Sequence, residues 1–195
     1  MDEDELIGGW PAIVNRIIRG ERLARPRLIV GPTPELLIQF GLHDGALTMV
    51  AAKVALCRKR HPEVSLEVWH NLPDLLADPL AIFPSAKRDG TQVVLLVVTD
   101  RDGHPVVVAI APDPERLNAV LSVYGKENGW EWAAQQIADA RADGLPTYEK
   151  KGFAASLPQP PATEVASSSS GPIPADGTTK PKREILSPRK KSTES

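Results

Sequence analysis

The sequence predicts an α+β fold: N-terminal helices packed on a small, mostly antiparallel β-sheet, followed by a disordered C-terminal tail. Three observations carry this. Apolar residues up to Asp78-Pro79 recur at helical spacing. From Gln92 onward come the runs Val93–Val98, Val106–Ile110 and Asn118–Tyr124, which read as strands. All nine aromatic residues lie at or before Phe153, and the segment 154–195 is rich in Pro and Ser. Such a segment cannot bury enough apolar surface to offset its chain entropy. The expected organisation is a helical segment over 1–24, an α+β domain over 25–153 and the tail over 154–195.

The elements follow in order. Pro11 suits a first helical position, and Ile13, Val14, Ile17 and Ile18 form one apolar face through Arg19. Arg27–Val30 is a short strand, broken by Gly31-Pro32. Thr33 is placed to cap a second helix with Pro34 at its start and Gly41 at its end. Thr48 is expected to open a third helix through Arg60, with Met49, Ala52, Leu56 and Cys57 facing inward. Pro62 stops it. Ser65 and Asn71 cap two short helical pieces. Gln92–Thr99 and Pro105–Ala111 form a hairpin in which Gly103 takes the positive φ of the turn. Val93–Val98 has no polar alternation, so it reads as a central strand covered on both faces. A strand over Asn118–Tyr124 is followed by a helix from Trp130 to Ala142, closed by Gly144. Leu145–Lys150 makes an edge strand guarded by lysines.

Bulk properties narrow the function. The chain of 195 residues is 42% hydrophobic and 25% charged, with a net charge of −2. No global field favours nucleic acid, so any polyanion site is local. Cys57 is the single cysteine, which excludes an internal disulfide and a cysteine-based zinc site. The start Met1-Asp2-Glu3-Asp4-Glu5 is acidic where a signal peptide is basic. No apolar run approaches the ~20 residues of a membrane span. The expectation is a soluble protein acting in cytoplasm, its own or that of a recipient cell, with no membrane contact. The tail from Lys180 to Ser195 carries six basic and two acidic residues. It reads either as a tether to RNA, DNA or another polyanion, or to a protein partner, or as a solvated solubility tail.

The stretch Leu121-Ser122-Val123-Tyr124-Gly125-Lys126 carries the chemistry. Alternation puts Ser122 and Tyr124 on one strand face, with Lys126 just beyond. A hydroxyl, a phenol and a cation suit phosphate. The order of segments resembles the C-terminal domain of phage MuF-like proteins. The pieces are Val30-Gly31-Pro32-Thr33-Pro34, Phe40-Gly41-Leu42, Arg58-Lys59-Arg60-His61-Pro62, Asn71 to Pro79, Ile82-Phe83-Pro84-Ser85, the apolar hairpin, Ser122 to Lys126, and Gly144 to Lys151. That family occurs in polyvalent proteins of mobile elements and is similar to the barnase–EndoU–colicin–RelE class of nuclease folds. The resemblance covers about Arg27 to Phe153. It implies a metal-independent RNase-like activity, such as that of a toxin or effector domain, or a relative that kept the fold and lost the chemistry.

Such cleavage needs a base for the 2′-hydroxyl, an acid for the leaving oxygen and cations for the phosphate. Of four histidines, His61 is the first choice, because it follows Arg58-Lys59-Arg60 at a helix end and matches the family's histidine after the basic helix. Equally, a histidine there can simply finish a basic helix and meet its last carbonyls. Ser122, Tyr124 and Lys126 complete the catalytic set, with Arg58 and Arg60 as substrate-binding cations. The competing role of Tyr124 and Ser122 is packing beneath a helix. His70 and Lys53 form a second tier, and His43 and His104 read as turn residues. Trp130 and Trp132 cannot both face the core of one helix, so either one is available to stack a base or Trp130 precedes the helix. No glycine-rich nucleotide loop or helical metal pair is present, so neither a cofactor nor a metal is expected.

Overall fold

The computed structural model describes residues 9–153. Residues 1–8 and the tail expected over 154–195 lie outside the described residues. The chain runs α1 (Gly9–Ile18), β1 (Arg27–Pro32), α2 (Glu35–Gln39), β2 (Ala46–Val50), α3 (Ala51–Arg60), α4 (Leu66–His70) and α5 (Leu72–Ala77). It continues β3 (Ala81–Pro84), β4 (Gln92–Thr99), β5 (Pro105–Pro112), β6 (Asn118–Gly125), α6 (Gly129–Ala142) and β7 (Tyr148–Glu149). The α+β expectation holds. The sheet is larger than anticipated, with seven strands in the order β1-β2-β6-β5-β4-β3-β7. Every pair is antiparallel except β2 with β6, which run parallel.

Both faces of the sheet are covered. Trp10, Val14, Val54, Cys57, Trp69, Leu72 and Leu76 from the N-terminal helices pack on one face against Leu47, Val94, Leu96, Val108 and Val123. On the other face Ala133 and Ile137 of α6 pack with Phe83, Leu95, Val107 and Phe153. Successive residues of β4 therefore enter different cores, which is why its sequence shows no alternation. The cover ends before the strand does, since Val97 is 43% exposed. Trp10 Nε1 donates to the Trp69 carbonyl at 2.6 Å and fastens α1 to α4 inside the first core.

Two local expectations are corrected. Thr48 does not open a helix: Ala46–Val50 is a strand, and α3 begins at Ala51 with the extended Val50 before it. The Thr48 hydroxyl instead donates to the Asn118 carbonyl at 3.2 Å. The inward face of α3 is consequently Val54 and Cys57, while Ala52 and Leu56 are exposed. Thr33 likewise does not cap α2, whose N-cap is Pro34. Its hydroxyl accepts from Asn118 Nδ2 at 2.7 Å. Ser65 does cap α4, accepting from the Val68 N–H at 3.3 Å. Asn71 precedes α5 without a side-chain cap. The turns at Gly41, Gly103 and Gly144 all take positive φ.

Asn118 is the polar bolt of the sheet. It is fully buried, and its amide also donates to the His43 carbonyl at 2.8 Å while its Oδ1 accepts from the His43 N–H at 3.0 Å. One side chain thus holds the loops on either side of α2 against β6. Asn118→Ala strands several buried polar groups and should cost about 2–4 kcal/mol. Urea denaturation of the two proteins reads this directly.

Candidate active site

The site grows from the junction of β2, α3 and β6. Only Leu47 and Thr48 of β2 pair with β6, at Asn118 and Ala119. Beyond Ala119 that edge of β6 has no strand partner, and α3, continuing without a loop from β2, runs beside it. Alanines favour the helix, and Arg58, Lys59 and Arg60 suit the negative end of its dipole. Pro62 disfavours helical geometry at the residue before it, so His61 leaves the helix at φ −127° and ψ 63°.

This brings His61 to Tyr124. Their ring centroids are 5.6 Å apart, with the planes tilted by 39°. His61 Nδ1 lies 2.9 Å from Glu63 Oε1. Against an ionised carboxylate, which only accepts, Nδ1 is the donor, and in the neutral ring that tautomer leaves the lone pair on Nε2. The His61 side chain is 34% exposed and that of Glu63 is 21% exposed, so the pair is reachable from solvent.

The strand places the other groups. A bulge at Leu121 shifts the register between Ala109–Ser122 and Ile110–Val120. After it Val123 points into the first core, while Tyr124 packs on the second. Ser122 is half-buried, two residues from Tyr124 on the same face. Burial pushes the Tyr124 phenol above its ordinary pKa. The Lys126 ammonium lies 5.0 Å from the centroid of Trp132, a cation–π contact. Trp132 in turn meets Phe83 edge-on at 5.5 Å. Both Trp130 and Trp132 belong to α6 and are half-buried against the second core.

The β4–β5 hairpin closes the site from one side. The Asp100 side chain is fully buried, and its Oδ1 accepts from the N–H groups of Asp102 and His104 at 2.9 and 2.8 Å. Its Oδ2 rests on Gly125, where an added Cβ would sit only 1.7 Å away. The next residue, Arg101, donates its backbone N–H to the Glu63 carbonyl at 3.0 Å. Arg58 is half-buried, and its Nη1 has no acceptor among the described residues. Burial and then the nearby Arg101 charge pull its pKa below the ordinary arginine value. The same hairpin gathers Asp100, Asp102 and His104 with one ligand-type atom each, all within 4.8 Å of one another. Asp100 already spends one oxygen on its own turn.

The expected site residues divide accordingly. His61 and Tyr124 meet, Arg58 lies one turn before His61, and Ser122 and Lys126 flank Tyr124 along its strand. Lys53 and Arg60 are exposed on α3. His70 lies elsewhere, its Nε2 being 2.9 Å from Asn15 Oδ1 of α1. Glu63 and Arg101 are additions. A carboxylate two residues after a candidate histidine was visible in the sequence, whereas Arg101 reads as an ordinary turn residue.

A family model described as the phage MuF-C-terminal domain matches residues 53–148, which span α3 through the start of β7. No curated protein and no solved structure matches the chain. Among the described residues no helix is long and apolar enough to cross a membrane.

Two outcomes follow from the geometry. Gly125→Ala drives a methyl into the Asp100 carboxylate and should lower unfolding free energy by about 1–3 kcal/mol, read by chemical denaturation. The folded state also keeps the Tyr124 proton at pH values where the unfolded chain has lost it. This stabilisation is complete below the ordinary phenol pKa of about 10 and is lost as pH rises through the higher folded value. Between about pH 9 and 11, the wild type should lose more stability than Tyr124→Phe.

Proposed function

We propose that this domain is a phage-related module with a metal-independent, RNase-like phosphodiester-cleaving site. The carrying observation is the contact of His61 with Tyr124, with Nδ1 of the imidazole occupied by Glu63. In this reading Nε2 takes the proton of an RNA 2′-hydroxyl as the 2′-oxygen attacks phosphorus. The P–O5′ bond breaks, leaving a cyclic phosphate. The leaving 5′-oxygen takes its proton from the Tyr124 hydroxyl. The raised pKa of that phenol makes it a weak acid, but a 5′-alkoxide is a far stronger base, so the transfer runs downhill. Arg58 and Lys126 offset the charge that builds on the phosphate, and Ser122 donates to one of its oxygens. Glu63 is a positioning residue, holding the tautomer in which Nε2 is free. Arg60 and Lys53 attract the polyanion from a distance.

The match of residues 53–148 to the phage family model supports a module of that kind, and function is argued from the site because folds host many activities. One observation favours a second reading, a non-catalytic binding module. Tyr124 packs on the second core, as a purely structural tyrosine would.

Cleavage of labelled total RNA and tRNA in excess EDTA separates the two. The catalytic reading expects His61→Ala to lower the rate by about 10²–10⁴-fold, and Tyr124→Phe also to slow it. Glu63→Gln should reduce the rate less than His61→Ala and alter its pH profile. Cleavage that persists unchanged in the His61→Ala, Tyr124→Phe double variant removes these residues from the mechanism. No cleavage by the wild type selects the binding module.

A further inference from the structure

We propose that Arg58 and Arg101 form a two-armed clamp for a phosphate group, the second arm being supplied by the β4–β5 hairpin. Arg101 is brought to the end of α3 by its own backbone, through the 3.0 Å hydrogen bond from its N–H to the Glu63 carbonyl. Arg58 sits three residues before His61, about one helical turn back along α3. Among the described residues neither guanidinium has a carboxylate partner. Glu63 is engaged with His61, and Asp100 spends Oδ1 on its own turn while its buried Oδ2 has no hydrogen-bond partner among the described residues and lies 3.5 Å from His104 Nδ1.

Like charges near one another disfavour each other, and a buried N–H without an acceptor adds to the cost. Arg58 Nη1 is such a group. The lowered pKa of Arg58, caused by burial and by the Arg101 charge, reports the same tension. A dianionic or diester phosphate relieves both costs, because its oxygens accept from two guanidinium groups while its charge offsets theirs. A neutral ligand satisfies the N–H but leaves the repulsion. The chemistry selected is therefore a phosphate, either free or in a polynucleotide backbone. The clamp deepens the phosphodiesterase reading by adding a residue to that site, but its test reads binding alone.

The full chain is titrated into a fluorescently labelled single-stranded RNA oligonucleotide whose 2′-hydroxyls are methylated, so that it cannot be cleaved by 2′-oxygen attack, and anisotropy is followed over a range of salt concentrations. Inorganic phosphate serves as the competitor and, separately, as a ligand by calorimetry. Arg101→Ala should weaken RNA binding about tenfold and make log K against log salt shallower by about 0.7, one phosphate contact on a single strand. Arg101→Lys should keep the salt slope while weakening affinity, because it keeps the charge and loses the fork. Arg88→Ala, which removes an exposed charge at the opposite end of β4, should change the slope less than Arg101→Ala. Arg101 is exposed, and removing its charge relieves Arg58, so its variants should melt no lower than the wild type, and circular dichroism checks this.

Arg101-dependent binding of inorganic phosphate with no such effect on RNA supports the clamp and assigns it to free phosphate. Arg101-dependent binding of RNA in a protein that cleaves nothing keeps the clamp and removes the catalytic reading. A folded Arg101→Ala protein with wild-type affinity and slope for both ligands overturns the clamp, whatever the cleavage assay shows.

Discussion

The direct join of β2 to α3 is the constraint from which the site follows. Val50 is the last extended residue and Ala51 the first helical one, with nothing between them. A strand that becomes a helix must leave the sheet, so β6 loses its neighbour after Ala119 and keeps a free edge. The lengths then match. Ten helical residues of α3 advance about 15 Å at 1.5 Å each. From Ala119 to Tyr124 the strand advances about 17 Å at ~3.3 Å per residue. The end of the helix therefore comes level with the phenol, and Pro62 stops it there. A helix one turn longer would keep the imidazole on the same face but carry it about 5 Å further along, past the phenol.

A second join fixes the opposite wall. The Asp100 carboxylate organises its own hairpin turn and leaves no room for a side chain at position 125. This gives Gly125 a physical reason to stand between Tyr124 and Lys126: it is the strand residue on which the buried acid rests. Tyr124 and Lys126 are consequently held with the hairpin rather than beside a loose loop. Lys126 gains a further restraint from Trp132, which makes α6 part of the site's support as well as a cover for the core. Side chains held by packing reach a charged substrate with less loss of entropy than free ones.

What the sequence made legible follows length and periodicity. The strands β4, β5 and β6 each contain eight residues and are rich in Val, so their runs stand out. The helix α6 has fourteen residues and a glycine end signal. By contrast, β2 has five residues and runs straight into an alanine-rich helix, so Thr48 looks like a cap. Its hydroxyl is instead satisfied by the Asn118 carbonyl, a partner 70 residues away. Thr33 misleads in the same manner, since its partner is the Asn118 side chain. His61 and Tyr124 were each visible as residues suited to the chemistry. Their contact depended on the free edge of β6, which in turn depended on the short strand that the local pattern hid. Arg101 was hidden differently, because its role comes from a backbone hydrogen bond that carries no sequence signal.

The distribution of charge argues further about what this region is for. Glu63 is close to the end of α3 and could have neutralised a guanidinium, giving a stronger, charge-assisted pair. It binds the imidazole instead, while Arg58 is left half-buried with an unmatched N–H near a second arginine. An unsatisfied buried donor costs about 1–3 kcal/mol, a sizeable fraction of the 5–15 kcal/mol that holds a typical domain together. Exposed ion pairs elsewhere on the surface, such as Arg16 with Glu21 and Arg27 with Asp113, show that this chain does pair its arginines where nothing prevents it. Departures from local satisfaction concentrate where a protein meets a ligand. Here the departure leaves a half-buried arginine with an unmatched N–H one helical turn before an imidazole that a carboxylate holds.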